Sequence, residues 1–397
     1  MTPWLHVIGI GEDGWDGLAP ATQAILEAAE VVVGGDRHHG LAPHLTARRM
    51  HWPSPFRAMV DEIGALRGTL TCVLVTGDPL WFSAGAFFAK AFDADELVYH
   101  PCLSAFQWAA ARMRWSLADL DAITVHGRPS QQAIPHFFPG ARLLLLTQDG
   151  STPATIAAHL RDNGYGDSRM TVLGALGGPD ESRRDGLARD WSGDSPDFHV
   201  LAIEVVAQED ARPLPRWGLP DDAFHHDGKM TKRELRVLTL AALAPRRGQR
   251  LWDIGCGCGS VAIEWLRADR DMEATGLEPD ADRRAMAASN AQILGTPRLR
   301  LSDVSAPEGL AGLPTPDAVF IGGGLSVATA EIALAALPRH GRLVANAVTL
   351  ESEAILTQLH QRHGGSLIRV AVQRAEAIGR LHGWRPAMPV TQWSLMK

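Results

Sequence analysis

"RLWDIGCGCGSVAIEWL", residues 250–266, decides the fold of half the chain. A short apolar run carries Asp253 near its end, Gly255, Gly257 and Gly259 follow, and an apolar helical pattern starts at once near Ser260. A strand feeding a glycine turn and then a helix makes a ligand cradle at the carboxyl end of a parallel sheet. Glycine permits the sharp turn and lets a ligand lie against bare backbone. The spacing is G-x-G-x-G, with Ser260 standing where the dinucleotide fingerprint G-x-G-x-x-G needs its last glycine. A nicotinamide-type Rossmann domain is therefore the poorer fit.

Working outward, the next strand ends in "TGLEPD", which puts Glu278 about twenty residues after the turn, where a carboxylate can bind both hydroxyls of a ribose. The third strand runs into "LSDVS", and its Asp303 can accept from an adenine amino group. The fourth runs into Gly322, Gly323 and Gly324. Short apolar strands are expected at 250–254, 273–277, 298–301, 318–321, 342–345, 366–372 and 390–395, with amphipathic helices between most of them. No helix separates the last two, only "RAEAIGRLHGWRPAMP", so they are expected to pair antiparallel and end the sheet in a reversed hairpin. Cys256 and Cys258 supply too few ligands for a metal in this setting.

The first half carries its own glycines. In "HVIGIGEDG", residues 6–14, Gly9, Gly11 and Gly14 do match G-x-G-x-x-G. The helical pattern begins only near Ala21, after Pro20, so no helix N-terminus stands behind these glycines, and they read as a loop after the first strand. Further strands are expected at 4–10, 31–34, 71–76, 97–100, 142–147, 170–175 and 198–206. Both halves thus read as α/β, with helices flanking largely parallel sheets. Between them, "AQEDARPLPRWGLPDDAFHHDGKM", residues 207–230, is rich in Pro, Gly and charge and has no period. The expected organisation is a domain over 1–210, a linker over 211–222 and a domain over 223–397.

The 397 residues are 46% hydrophobic and 21% charged, with a net charge of −7. That is the composition of a globular protein, and the acidic balance argues against a nucleic-acid partner. No apolar stretch reaches the ~20 residues of a membrane helix, and "MTPWLHVIG" lacks the features of a signal peptide. Four scattered cysteines suit a reducing cytoplasm. His38 and His39 with His44 and His51 fit no single helix face, so no metal is expected.

Together, the elements of the second half resemble the class I S-adenosylmethionine (SAM) methyltransferase fold, whose Rossmann-like sheet also ends in a reversed hairpin. Amino-methylating nucleic-acid enzymes of that fold carry a Pro-Pro-aromatic motif after the fourth strand; this chain has "FIGGG". Instead "GKMTKRELRVLTL", "LWDIGCGCGSVAIE", "DAVFIGGG" and "GRLVANAVTLES" resemble the decarboxylating C15-methyltransferases of corrin synthesis. This resemblance implies that Met230 and Thr231 border the SAM site and that Asn346 faces the macrocycle, with Asn346 and Thr231 as candidate catalytic residues. Thr231 and Glu234 also read as a capping box, and Asn346 also as a turn asparagine.

"WLHVIGIGEDGWDGLAPATQAILEAAEVVVGGDRH" resembles the start of the tetrapyrrole methylase family, a different, two-lobed SAM-binding fold (class III). "LVTGDPLWFS" matches its cofactor turn, implying Gly77, Asp78 and Pro79 as contacts, with Ser104 a further one. "HGRP" and "LLLLTQDGSTPATIAAHL" match its C5-methylating branch. The chain departs from the family in two places. Cys102 replaces the glycine of Pro-Gly-x-Ser-Ser, which raises the question of a changed φ or a tighter cleft, and Glu12 replaces a proline.

The two resemblances together imply a bifunctional C-methyltransferase of cobalamin biosynthesis. It would use two SAM, one per domain, to methylate C5 and C15 of a precorrin and release CO2 from the ring-C acetate. A polycarboxylate tetrapyrrole calls for cationic clamps. The candidates are Arg37, His38 and Arg128 in the first half, and Lys232, Arg374, Arg380 and His382 in the second. A homo-oligomer is expected, since relatives of both halves assemble. Two competing expectations are an RNA methyltransferase and a SAM-binding regulator with only its second half catalytic.

Overall fold

The computed structural model describes residues 3–53 and 58–397. Contacts divide the chain into two compact units, one of Met1–Ser130 with Phe137–Arg212, the other of Gln131–His136 with Pro213–Lys397.

The first unit has two lobes. In the first lobe, strands β1 (Leu5–Ile10), β2 (Val31–Gly34), β3 (Arg48–His51), β4 (Thr71–Thr76) and β5 (Leu97–His100) form a parallel sheet in the order β3-β2-β4-β1-β5. Helices α1 (Pro20–Ala28), α2 (Asp36–Leu41), α3 (Met59–Gly64) and α4 (Gly85–Ala91) accompany it. The sheet's residues pack on both faces, with Val7, Val33 and Val73 on one side and Ile8, Val32 and Leu74 on the other. Burial on both faces explains the runs of β-branched residues without polar alternation.

The second lobe follows α5 (Ala105–Met113). It holds β6 (Asp121–Thr124), β7 (Arg142–Leu146), β8 (Arg169–Gly174), β9 (Ser182–Leu187) and β10 (His199–Glu204) in the order β6-β7-β10-β8-β9, with α6 (Thr152–Asp162) after β7. Here the expectation of a largely parallel sheet needs correcting. Only β6–β7 is parallel; β10 runs against both β7 and β8, and β9 against β8. β3, β6 and β9 lie outside the expected strands. All three are edge strands; β3 and β9 have mostly exposed residues and carry no hydrophobic period, and β6 is only four residues long.

In the second unit, α7 (Arg233–Leu243) precedes an alternating series: β11 (Arg250–Ile254), α8 (Ser260–Ala268), β12 (Glu273–Leu277), α9 (Ala281–Ile293), β13 (Arg300–Ser302), β14 (Ala318–Ile321), α10 (Val327–Ala336), β15 (Arg342–Ala347), α11 (Leu350–His363) and β16 (Ser366–Val370). A hairpin of β17 (Gln373–Ile378) and β18 (Leu381–Pro386) leads to β19 (Val390–Met396). The seven-stranded sheet has the order β13-β12-β11-β14-β15-β19-β16. β19 is antiparallel to both β15 and β16, and the other strands are parallel. The reversed pair at the sheet's end is present as the sequence implied. The segment between its two strands is a second hairpin, turned on Gly379 at φ 62°, with every residue of β17 exposed.

The stretch expected to be a linker is largely built into the second unit, which begins at Pro213. Leu219 and Phe224 are buried against Ile263, Ala291 and Leu294. Arg267 donates to the carbonyls of Pro215 (3.1 Å) and Arg216 (2.9 Å). Its aperiodic sequence reflects a chain laid irregularly over α8 and α9, with its backbone groups satisfied by buried side chains.

Candidate cofactor and substrate sites

In the second unit the strand order reverses between β11 and β14, the switch point at which open α/β sheets bind ligands. The two glycine loops meet there. Gly255 (φ 67°) lies so close to Gly323 that a Cβ on it would sit 2.5 Å from the Gly323 Cα. Gly257 and Gly259 also hold positive φ, 56° and 80°. The Gly257 N–H donates to Glu278 Oε2 at 2.9 Å, and the Asp280 N–H donates to Glu278 Oε1 at 3.1 Å. Glu278 is buried, so one carboxylate both fixes the loop and keeps further lone pairs for a ligand. Buried Asn290 fastens the same loop from behind, donating to the Cys258 and His225 carbonyls, each at 2.9 Å. Asp303 sits exposed just past β13, and Gly322 donates its N–H to the Ile254 carbonyl at 2.9 Å.

Asp253 is 1% exposed. Its Oδ2 accepts the Ala262 N–H at 3.0 Å, while its buried Oδ1 has no partner among the described residues. Burial pushes this carboxyl up to about 7; nearby Glu278 pushes the same way and the Ala262 bond opposes. Against an ordinary unfolded value of ~3.9, the folded chain holds an extra proton between pH about 4 and about 7. This group's contribution to stability therefore falls as pH rises through that window. A ligand donor at Oδ1 favours the carboxylate. Ligand binding near pH 7 is thus expected to release a proton, read by calorimetry in buffers of different ionisation enthalpy. Identical heats in those buffers would count against this.

The segment before α7 lies over the same loop, the Lys229 carbonyl being 4.0 Å from the position a Gly257 Cβ would take. Thr231 and Lys232 are partly buried. The structure corrects the capping-box reading: Lys232 is the N-cap and Glu234 reaches away to pair with Arg374. The Thr231 carbonyl accepts from Arg236 Nη1 at 2.7 Å. Asn346, near the end of β15, is tied to Thr239 and Gln392. Arg374, Arg380 and His382 lie on the exposed β17–β18 hairpin. Of these three, the fold ties Arg374 to the first turn of α7.

In the first unit, the Gly9 backbone is packed against the Gly77 carbonyl and Cys102, whose Cβ would stand 2.9 Å from a Cβ on Gly9. Gly77 has φ 61° and lies against Ser104. Asp78 Oδ1 accepts the Leu80 N–H at 2.8 Å, closing the turn through Pro79. Ser104 precedes α5, is 5% exposed, and its hydroxyl has no partner among the described residues. Asp13 Oδ1 is likewise buried without one. Cys102 is absent from the residues with positive φ, so replacing glycine there carries no left-handed strain.

Arg37 and His38 converge on one hydroxyl: Arg37 Nη1 and His38 Nε2 each lie 3.0 Å from Thr76 Oγ1. His38 Nδ1 accepts the Gly35 N–H at 3.1 Å, so the neutral ring carries its proton on Nε2 and donates it to Thr76. Burial, with Arg37 beside it, lowers His38 to about 4. Arg37 also pairs with Glu12 and stacks on Phe198 of the second lobe, its Cζ 3.9 Å from the ring centre. The substituted Glu12 thus already occupies part of the expected carboxylate clamp. Arg128 is exposed in the loop after β6.

Comparison with known proteins fits both units. Residues 222–397 match the family described as "Precorrin methyltransferase domain", and residues 4–190 match "Tetrapyrrole (Corrin/Porphyrin) Methylases". The precorrin-6Y C(5,15)-methyltransferase [decarboxylating] of Sinorhizobium sp is 49% identical over 401 residues, covering 100% of this chain and 97% of the relative. The enzyme of the same name from Mycobacterium tuberculosis is 40% identical, covering 98% and 99%. The chain belongs to the precorrin-6Y C5,15-methyltransferase (decarboxylating) family. The solved C-terminal domain of the Rhodobacter capsulatus member is 50% identical, covers 46% of this chain and 100% of its own, and gives a TM-score of 0.44. As a family member the chain is a SAM-dependent methyltransferase acting in cobalamin biosynthesis, with a decarboxylating activity.

Proposed function

We propose that each unit holds its own SAM, the first unit methylating C5 and the second methylating C15 and decarboxylating the ring-C acetate, so that precorrin-6B becomes precorrin-8. The observation that carries this reading is the pair of cradles, each lined by close-packed glycines and each containing buried polar atoms without partners among the described residues: Asp253 Oδ1 in one, Ser104 Oγ and Asp13 Oδ1 in the other. Such atoms are costly to bury unless a ligand satisfies them. Asp253, Gly255, Gly257, Gly259, Glu278, Asp303, Gly322 and Gly323 would hold SAM in the second unit, and Gly77, Asp78, Pro79 and Ser104 in the first. When bound, SAM supplies an electrophilic methyl group on a sulfonium.

The protein's work is then chiefly positional. Meso carbons of the precorrin belong to enamine systems and are already nucleophilic, and holding carbon, methyl and sulfur in line accounts for ~7–11 kcal/mol of barrier. Methylation at C15 leaves an iminium-like sink for the electron pair of the C–CO2 bond, and a poorly hydrated site favours loss of the carboxylate. Thr231 would border the SAM site and Asn346 would face the macrocycle. Arg37, Arg128, Lys232 and Arg374 are the proposed carboxylate clamps, with Arg380 and His382 on the hairpin; His38 is not one of them, because its ring is neutral and both its nitrogens are engaged within the fold.

That hairpin also supports assembly. Ile378, Leu381, Trp384 and Met388 are each at least 68% exposed, an apolar patch of the kind subunit interfaces cover. We place the protein in the cytoplasm as a homo-oligomer. Its four cysteines are free, and no described helix is long and apolar enough to cross a membrane. The test is mass spectrometry of the tetrapyrrole after incubation with SAM and precorrin-6B. Two added methyls with loss of CO2 are expected; one methyl with loss of CO2 would leave the first unit without its assigned role.

A further inference from the structure

Asn346 of β15 stands beside its cross-strand neighbour Gln392 of β19, and Thr239 of α7 contacts both. Thr239 and Gln392 are buried, at 0% and 3% exposure, while Asn346 is only partly buried. Gln392 Nε2 lies 3.1 Å from Thr239 Oγ1 and 2.9 Å from Asn346 Oδ1, and Asn346 Nδ2 lies 3.0 Å from the same hydroxyl.

Counting donors fixes both amides. In this arrangement the Gln392 nitrogen gives one hydrogen to each neighbour, the Asn346 nitrogen gives one to Thr239, and all three contacts pair a donor with an acceptor. Turning over Gln392 alone sets two amide oxygens together at the 2.9 Å contact, and turning over Asn346 alone sets two nitrogens there. Turning over both leaves two amide oxygens competing for the single hydroxyl hydrogen of Thr239. Only one orientation satisfies every contact, and it leaves one N–H of Asn346 without a partner among the described residues.

We propose that Gln392 is a positioning residue: by occupying the Asn346 carbonyl it holds the spare Asn346 N–H in place as a donor to a carboxylate of the tetrapyrrole. The proposal rests on the reading of the second unit as the C15 site. A free Asn346 could present either end of its amide, and its carbonyl would repel the same carboxylate. Fixing the amide makes the site selective for an acceptor without adding a charge that would hold the departing CO2.

The test uses the full chain with two variants, Gln392→Met and Asn346→Asp. Gln392→Met keeps the side chain's length and removes the donor. Asn346→Asp still accepts from Gln392 and from the Thr239 hydroxyl, so the cluster stays satisfied while the N–H is lost. Gln392→Met is expected to raise KM for precorrin-6B in the C15 step about tenfold, and Asn346→Asp to lower kcat/KM about a hundredfold, the range for hydrogen bonds to charged groups. SAM affinity by calorimetry should stay at the parental value in both. Parental KM in both variants would overturn the proposal. So would loss of SAM binding together with activity, since the cluster would then merely hold α7 to the sheet. A parent chain that methylates neither carbon would sink the reading of the site itself, and the proposal with it.

Discussion

Glu264→Ala is expected to destabilise the second unit by about 3–5 kcal/mol, the cost of removing one partner of a buried ion pair. Glu264 and Arg236 are both 0% exposed, with Arg236 Nε 2.5 Å from Glu264 Oε1. Glu264 also accepts the Gly218 and Leu219 N–H groups, and Arg236 donates to the Leu219 and Thr231 carbonyls and to Asp221. The pair is therefore the anchor of residues 218–231, the segment that lies over Gly257. Replacing both charges, as in Arg236→Met with Glu264→Leu, usually recovers much of the loss at a buried pair. Here it should not, because four backbone groups would still lack partners. Hydrogen exchange over 214–232 checks this. Protection unchanged in Glu264→Ala would show that apolar packing of Leu219 and Phe224 alone holds the segment.

That anchor also shows how much the sequence disclosed. The strand–glycine–helix series of the second unit and its reversed terminal pair were legible because glycines sit at strand ends and helices follow at once, a signal local in sequence. Glu264 and Arg236 carry a signal readable in the sequence: a carboxylate inside "GSVAIEWL" and a guanidinium inside "RELRVLTL" each interrupt an otherwise apolar helix face, and buried charges come in pairs. Asn290, Thr239 and Gln392 gave none. Their partners lie up to 153 positions away, and only the fold brings them together. The reversed strands of the second lobe differ from the sequence's expectation for another reason. Alternation of strand and helix predicts parallel pairing only where a helix crosses over, and β8 to β9 has no helix between. The hairpin of β17 and β18 buries no face of its own, so burial left no period to read.

Gly255→Ala and Gly9→Ala are expected to separate the two activities. At Gly255 a side chain must tolerate φ 67°, costing ~1–2 kcal/mol, and its Cβ would stand 2.5 Å from backbone of Gly323. Neither loop can yield without parting the carboxyl ends of β11 and β14, and displacements of about 1 Å at such a site cost on the order of 100-fold in rate. On the proposed assignment of one SAM to each unit, C15 methylation and CO2 release should therefore fall together in Gly255→Ala, and bound SAM should drop from two per chain to one. Gly257→Ala is the control for backbone strain, because φ there is 56° but the nearest atom to its Cβ is 4.0 Å away. At Gly9 the obstacle is the Gly77 carbonyl and Cys102 rather than φ, so the variant tests close approach alone. It should remove the first unit's SAM and C5 methylation while the second unit keeps its own ligand. If either substitution abolished both binding events, the two cradles would not be independent, and one SAM per unit would be the wrong description of how this chain delivers two methyl groups.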